Sequence, residues 1–194
     1  MLKASSFGEK KLRAFEKIGF FQGERNVNKS IWIHAVSIGE VNVALKLIQD
    51  LEEILESPNF ILSTTTLTGA RKAKENLSKN LKHVYFPFDL KFICKKFISF
   101  YNPSILLLVE TEIWPNLINV SNEFKLPVVL VNGRLSDKSL KKYQRLSSFF
   151  KGSFNKIDHA FVQSKNDFER FSKAGISRDA MSVSGSITVS YTHL

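Results

Sequence analysis

From residue 31 onward, short apolar runs alternate with segments of helical length and periodicity, and this alternation restricts the fold more than any other feature of the chain. The runs are residues 31–36, 60–63, 83–86, 105–109, 128–131 and 157–162. Strand, helix, strand order repeated in this way requires crossovers, which are right-handed and lay successive strands parallel in one sheet with helices on both faces. The sequence therefore predicts an α/β protein, a Rossmann-like, doubly wound and mostly parallel sheet. No fixed-period repeat or low-complexity stretch interrupts the pattern.

Local signals mark several helices between the runs. Val41, Ala44, Leu45, Ile48, Leu51 and Leu55 share one face, and Ser37 marks the start of that helix. Pro115 suits a first helical turn, where its missing N–H would be unpaired in any case. Ser164 with Asp167 opens a late helix that Gly175 closes, and the Thr-rich segment 63–69 leaves a strand and enters a helix beginning near Ala70. Residues 1–30 read as a basic lead-in helix, with Leu12, Phe15, Ile18 and Phe20 on one side, followed by a polar linker. Such a helix either lies on a membrane surface or packs on the domain. Residues 31–187 form the Rossmann-like domain, and residues 188–194 read as a truncated or non-native tail.

The chain has 194 residues, 43% of them hydrophobic, and 28 Lys and Arg against 18 Asp and Glu leave a net charge of +10. That balance favours anionic partners or a Lys-rich solvated exterior, because the basic residues are spread over several helices. No zinc-finger spacing, aromatic RNA-binding strand or basic zipper argues for nucleic acid. The single Cys94 excludes a disulfide framework within the chain and lies on an apolar stripe with Ile93, Phe97 and Ile98. The seventeen Phe mostly fall at periodic apolar positions and read as core. No apolar run approaches the roughly 20 residues that cross a bilayer, and the start lacks a signal-peptide pattern.

Polar residues follow several of the apolar runs directly, at the strand ends where an open parallel sheet gathers its ligands. Ser37 and Glu40 have the spacing of a capping box, in which both side chains serve the helix start. At the same position Gly39 lets a substrate approach the backbone and Glu40 accepts a proton from an attacking hydroxyl. Glu110 and Glu112 flank Thr111 and point the same way on an extended chain; such a pair shares a proton, orients cationic and hydroxyl groups, holds a metal, or pairs with Lys and Arg. Thr64, Thr65 and Thr66 offer hydroxyls to an anion or a sugar, although no phosphate-binding Gly-rich loop and no dinucleotide fingerprint is present. Asp89 and Arg134 hold comparable strand-end positions, and Arg134 suits a phosphate or carboxylate. His34, His83 and His159 fall within strands, as hydrogen-bonded core residues rather than metal ligands.

Six ordered motifs, residues 34–40 (HAVSIGE), 64–69 (TTTLTG), 86–90 (FPFDL), 110–116 (ETEIWPN), 132–136 (NGRLS) and 163–171 (QSKNDFERF), resemble the 3-deoxy-D-manno-octulosonic acid (Kdo) transferase family. The resemblance implies the first half of a two-domain GT-B glycosyltransferase that moves Kdo from CMP-Kdo onto a lipid A precursor in lipopolysaccharide synthesis. It further implies action at the cytoplasmic face of the inner membrane, with an anionic membrane surface as partner, no metal and no other cofactor. On the matching positions it makes Glu40 the general base and Glu110 a stabiliser of the transition state. Ser37, Gly39, Thr64, Thr65, Thr66, Asp89, Glu112 and Arg134 become substrate-binding candidates. The sequence departs from the family in lacking a leading membrane anchor and the second domain that supplies most of the CMP-Kdo pocket, and Thr188 stands where the family has a Lys. On this reading the chain is a fragment, inactive alone. A non-catalytic module for anionic glycolipids, or another nucleotide-sugar transferase of GT-B type, is the alternative.

Overall fold

The computed structural model describes residues 13–21 and 29–187, apart from the side chains of 147–149 and 151. Seven strands, β1 (Ser30–His34), β2 (Phe60–Thr64), β3 (Leu81–Tyr85), β4 (Pro103–Val109), β5 (Val128–Gly133), β6 (His159–Val162) and β7 (Met181–Val183), form one sheet. Their order is β3-β2-β1-β4-β5-β6-β7, and every neighbouring pair is parallel. The chain runs outward from β1 in one direction and, after β3, resumes at β4 on the other side of β1. The carboxyl ends of β1 and β4 therefore flank the topological switch point, where connections leaving toward opposite faces open a crevice.

The helices are α1 (Ile38–Ile54), α2 (Leu67–Lys74), α3 (Lys91–Tyr101), α4 (Pro115–Glu123), α5 (Asp137–Arg145), α6 (Ser147–Phe154) and α7 (Lys165–Ala174). Period-2 alternation along the strands divides the apolar residues between two cores. Ile33, Leu62, Leu107 and Val109 face α1 and α2, together with Val41, Ala44, Ile48 and Ala73. Trp32, Ile61, Leu106, Leu108 and Leu130 face the other way, against Cys94, Phe97, Leu117, Ile118 and Phe171. Burial pushes the Cys94 thiol well above its ordinary pKa, which leaves it an inert core residue.

The helix signals at Ser37, Pro115, Ser164 and Gly175 lie where the sequence placed them. Helix α2 starts at Leu67, earlier than the expected position near Ala70, because Thr66 is its N-cap and accepts the Gly69 N–H at 3.1 Å. A side chain at Gly69 would put its Cβ 2.9 Å from the Val36 carbonyl oxygen, so the close seating of this helix requires glycine. Strand β7 was not expected; it is three residues long and carries too little apolar pattern to read.

The lead-in segment is helical over residues 13–17 and packs on the domain through Glu16, not through its apolar side. Phe15, Ile18 and Phe20 are exposed, and Glu16 is the buried residue. Its carboxylate accepts the Tyr85 N–H at 2.6 Å, and Phe88 donates its N–H to the Lys17 carbonyl at 2.9 Å. Strand β3 is an edge strand, and this segment satisfies a donor that its unpaired side exposes. Leu12, the linker residues 22–28 and the tail 188–194 with Thr188 lie outside the described residues.

Other phenylalanines also leave the expected core. Phe60, Phe86, Phe97, Phe154 and Phe171 are buried, whereas Phe15, Phe20, Phe88, Phe92, Phe124 and Phe161 are exposed. Phe161 lies on the face of β6 opposite Ala160 and Val162, so helical cover of the sheet is incomplete there.

Candidate active-site crevice

Glu40 enters the site through the geometry of a helix start. Ser37 is the N-cap of α1 and accepts the Glu40 N–H at 3.3 Å, while its hydroxyl donates to Glu40 Oε1 at 2.7 Å. Glu40 Oε2 accepts the Val36 N–H at 2.8 Å, one residue before the donor that an ordinary capping box uses. The carboxylate is 9% exposed, held by one donor on each oxygen, with further lone pairs left to accept. A Cβ on Gly39 would meet only Ser37 Oγ, at 3.9 Å, so nothing among the described residues demands glycine at that position.

Across the switch point the chain leaves β4 through Glu110, whose φ of 59° lies in the left-handed region. A non-glycine residue held there costs about 1 kcal/mol or more and is over-represented at functional sites. Arg134, which follows β5, donates from Nε to Glu110 Oε2 at 2.9 Å, and Thr111 donates its hydroxyl to the Arg134 carbonyl. Trp114 donates its indole N–H to Glu112 Oε2 at 2.9 Å.

Glu40, Glu110, Thr111, Glu112, Arg134 and Gln163 line one open crevice of about 620 Å³, together with Ser136, Asp137, Ser139, Asp167 and Arg170. Burial holds the Glu110 carboxyl above the usual range, and the Glu40 charge adds to this against the pull of Arg134. Burial, then the charges of Glu40 and Glu110, push Glu112 up to about 7, opposed by the Trp114 hydrogen bond. Three glutamates thus share a space in which Arg134 pairs with one of them, while Arg170 pairs with Asp137, and the site suits accepting a proton near neutral pH and orienting hydroxyl groups. Among the described residues no group of three or more His, Cys, Asp and Glu is placed to hold a metal ion.

The remaining candidates separate from the crevice. Ser37 reaches it only through Glu40. Thr66 caps α2 and donates its hydroxyl to the Val36 carbonyl at 2.7 Å, and the buried Thr64 shares a hydrogen bond of 2.9 Å with His83 Nε2. The Thr65 carbonyl accepts from Arg13. Asp89 spends both oxygens on the N–H groups of Asn116 and Leu117, at 3.0 and 2.7 Å, as the cap that the first turn of α4 obtains from a distant loop. His34 is fully buried between Ser63, Phe86 and Trp114, and burial pushes it down to about 3, so its ring is neutral.

Sequence reasoning did not single out Gln163, Asp167 and Arg170 as site residues. Asp167 accepts the Leu135 N–H at 2.9 Å, Arg170 clamps Asp137 with two hydrogen bonds, and Gln163 donates to the Asn132 carbonyl at 3.1 Å. Gln163 opens one of the motifs noted above, and its place directly after a strand was the available signal.

The family model for 3-deoxy-D-manno-octulosonic-acid transferase (kdotransferase) matches residues 12–190. A bifunctional glycosyltransferase/methyltransferase of Fusobacterium nucleatum is 36% identical over 162 residues, covering 82% of this chain and 25% of that protein. A 3-deoxy-D-manno-octulosonic acid transferase of Haemophilus influenzae is 30% identical over 176 residues, covering 90% of this chain and 41% of that protein. The chain thus spans well under half the length of these relatives. Among solved structures, the UDP-GlcNAc 2-epimerase of Methanocaldococcus jannaschii superposes with a TM-score of 0.60 at 13% identity, over 81% of this chain and 45% of that one. At that identity the likeness concerns the fold alone, one Rossmann-like half of the GT-B architecture. Family model, relatives and ordered motifs agree, and the chain belongs to the 3-deoxy-D-manno-octulosonic acid (Kdo) transferase family.

Proposed function

We propose that this chain is the acceptor-binding half of a glycosyltransferase that moves Kdo from CMP-Kdo to a lipid A precursor, with a second GT-B domain supplying the donor pocket. The observation that carries this reading is Glu40, fixed at the start of α1 beside the switch point and facing the Glu110–Arg134 pair across an open crevice. Glu40 removes the proton of the acceptor hydroxyl as that oxygen attacks the anomeric carbon, and CMP departs with the bonding electrons. Glu110, oriented by Arg134, stabilises the positive charge that develops on the sugar. Gly39 leaves room for the acceptor, and Glu112 and Gln163 orient its hydroxyls.

Phosphates of the acceptor meet a basic face of α5. Lys138, Lys141, Lys142 and Arg145 follow one another at helical spacing around a shallow depression that shares Ser139 with the crevice. The same face, on a chain whose net charge is +10, favours contact with the anionic cytoplasmic surface of the inner membrane. No helix among the described residues is long and apolar enough to cross a membrane.

The test is transfer of Kdo from CMP-Kdo to a bisphosphorylated lipid A precursor, comparing this chain with a version that includes a second GT-B domain. Activity in the longer form alone supports the reading. Acceptor binding without transfer in either form favours a glycolipid-binding module instead.

A further inference from the structure

Five acidic side chains line the Glu40 crevice, Glu40, Glu110, Glu112, Asp137 and Asp167, against two cations, Arg134 and Arg170. Arg170 is spent within the chain. Its Nε and Nη2 hold the two oxygens of Asp137 at 2.7 and 3.1 Å, and its Nη1 stands 3.8 Å from Asp167. Arg134 gives only its Nε–H, to Glu110 Oε2 at 2.9 Å; its side chain is 64% exposed, and neither terminal Nη group has a hydrogen-bond partner among the described residues. The backbone beneath it is pinned on both sides, since its carbonyl accepts the Thr111 hydroxyl and the next N–H, of Leu135, reaches Asp167 at 2.9 Å. A held guanidinium with one edge taken and its end open is a fork for one more planar anion.

The reaction proposed above brings such an anion, and the inference rests on that reading. As an octulosonic acid, Kdo carries a carboxylate directly on its anomeric carbon, the atom that the acceptor oxygen attacks. Glu40 takes the proton of that oxygen, so the reacting atoms meet beside it at about 3.5 Å or less. A carboxylate one bond from the anomeric carbon therefore enters the same crevice. The acids there repel it, and a carboxylate drawn out of water is costly unless a cation with open donors meets it. Acceptor phosphates have the Lys-rich face of α5 at hand, whereas inside the crevice Arg134 is the cation with donors left, among the described residues.

We propose that Arg134 recognises the carboxylate of the transferred sugar, receiving its two oxygens on Nη1 and Nη2 while Nε stays on Glu110. One guanidinium then fixes the sugar's carboxylate and Glu110 relative to each other, which turns the anomeric carbon toward the acceptor oxygen. The residue selects donors that bear a carboxylate at the anomeric carbon. An aldose donor leaves the fork empty and its charge unmet.

The test is calorimetric titration of a form that carries a second GT-B domain with the methyl glycoside of Kdo and with its carboxamide, a neutral isostere. The acid should bind about tenfold or more tightly than the amide, as expected for a charge-assisted pair. Arg134→Gln should abolish that preference, the two compounds binding alike, with the urea midpoint unchanged. Arg134→Lys, which keeps the charge without the fork, should retain an intermediate preference. A role limited to orienting Glu110 would lower the turnover of Arg134→Gln and leave the acid-to-amide ratio intact, and that result overturns the proposal. Equal binding of the two compounds by the parent protein, or binding of neither, also overturns it without recourse to any variant. So does a rise in the acceptor's KM in Arg134→Gln with the ratio unchanged, which would make Arg134 a contact for acceptor phosphates. Each of these outcomes leaves the transferase reading in place. Absence of Kdo transfer by the same two-domain protein is a different failure: it removes that reading, and this inference with it.

Discussion

The strand ends at β1 and β4 and those at β2 and β3 carry the same kinds of residue, an acid or hydroxyl just past an apolar run, and they use them in opposite ways. Beyond β2 and β3, Thr66 and Asp89 are consumed by the chain: every hydrogen bond that Asp89 accepts comes from the first turn of α4 or from the Cys94 thiol. Beyond β1 and β4, Glu40, Glu110 and Glu112 keep lone pairs facing an open crevice and crowd one another's charge. A strand-end position therefore does not make a site. What separates the two regions is whether helix N–H groups have already taken the oxygens, and the switch point is where the neighbouring helices diverge and leave them unclaimed.

The largest test of this contrast is Glu40→Gln in a form that carries a second GT-B domain. An amide cannot take the hydroxyl proton, so transfer should fall by about 10²- to 10⁴-fold. Its carbonyl oxygen still accepts one of the two donors at the helix start, so the urea midpoint should move by less than about 1 kcal/mol in stability. Transfer within tenfold of the parent would remove Glu40 as the base. Asp89→Ala is the mirror experiment. It strips two N–H groups of a charged acceptor and should cost about 2 kcal/mol in urea denaturation, with transfer per folded molecule unchanged. A selective loss of transfer would place Asp89 in the site after all.

Much of this was legible in the sequence for physical reasons that operate locally. The Ser37 to Glu40 spacing, Pro115 and Gly175 act within one helical turn, so the helix starts and stops could be read. What could not be read depends on partners distant in sequence. Asp89 looks like Glu110 until α4 is seen to lie over it, 27 residues away along the chain. The apolar stripe Phe15, Ile18 and Phe20 left open whether that face meets the domain or a membrane surface. The Tyr85 N–H on the edge strand draws Glu16 inward, and Phe15, Ile18 and Phe20 turn out. Asp167 and Arg170 meet the β5–α5 connection only because β6 pairs with β5, a register that no single segment encodes.

Two glycines sharpen the comparison at smaller cost. Gly69 belongs to the occupied region, and Gly69→Ala forces a Cβ to 2.9 Å from the Val36 carbonyl, which should destabilise the fold by about 1 to 2 kcal/mol. Gly39 belongs to the open region. Gly39→Ala meets no atom closer than 3.9 Å and should stabilise α1 by up to about 0.5 kcal/mol, while the added methyl group hinders the acceptor and raises its KM. Destabilisation by Gly39→Ala would mean that the crevice is tighter than its geometry implies. An unchanged KM would show that the acceptor does not pass over this turn.

The smallest effect concerns the proton balance among the crowded acids. Glu112 is held up at about 7, above the range it adopts in the unfolded chain. The folded state therefore binds its proton more tightly than the unfolded state between about pH 4.5 and 7, and stability falls as pH rises through that window. Screening by the open crevice limits the loss to about 1 kcal/mol. Glu110 and Glu16 are also held above their usual range and push in the same direction, so the wild-type slope alone does not identify its source. Glu112→Gln isolates it: urea denaturation at pH 5 and pH 8 should show a smaller difference in the variant than in the parent chain. In the two-domain form, the same substitution should shift the acidic limb of the transfer profile, because a permanently neutral neighbour no longer charges as Glu40 works. Asp89→Asn, in the occupied region, should leave both slopes unaltered. If it flattens them as Glu112→Gln does, the occupied and open strand ends are electrostatically one site and the division between them fails.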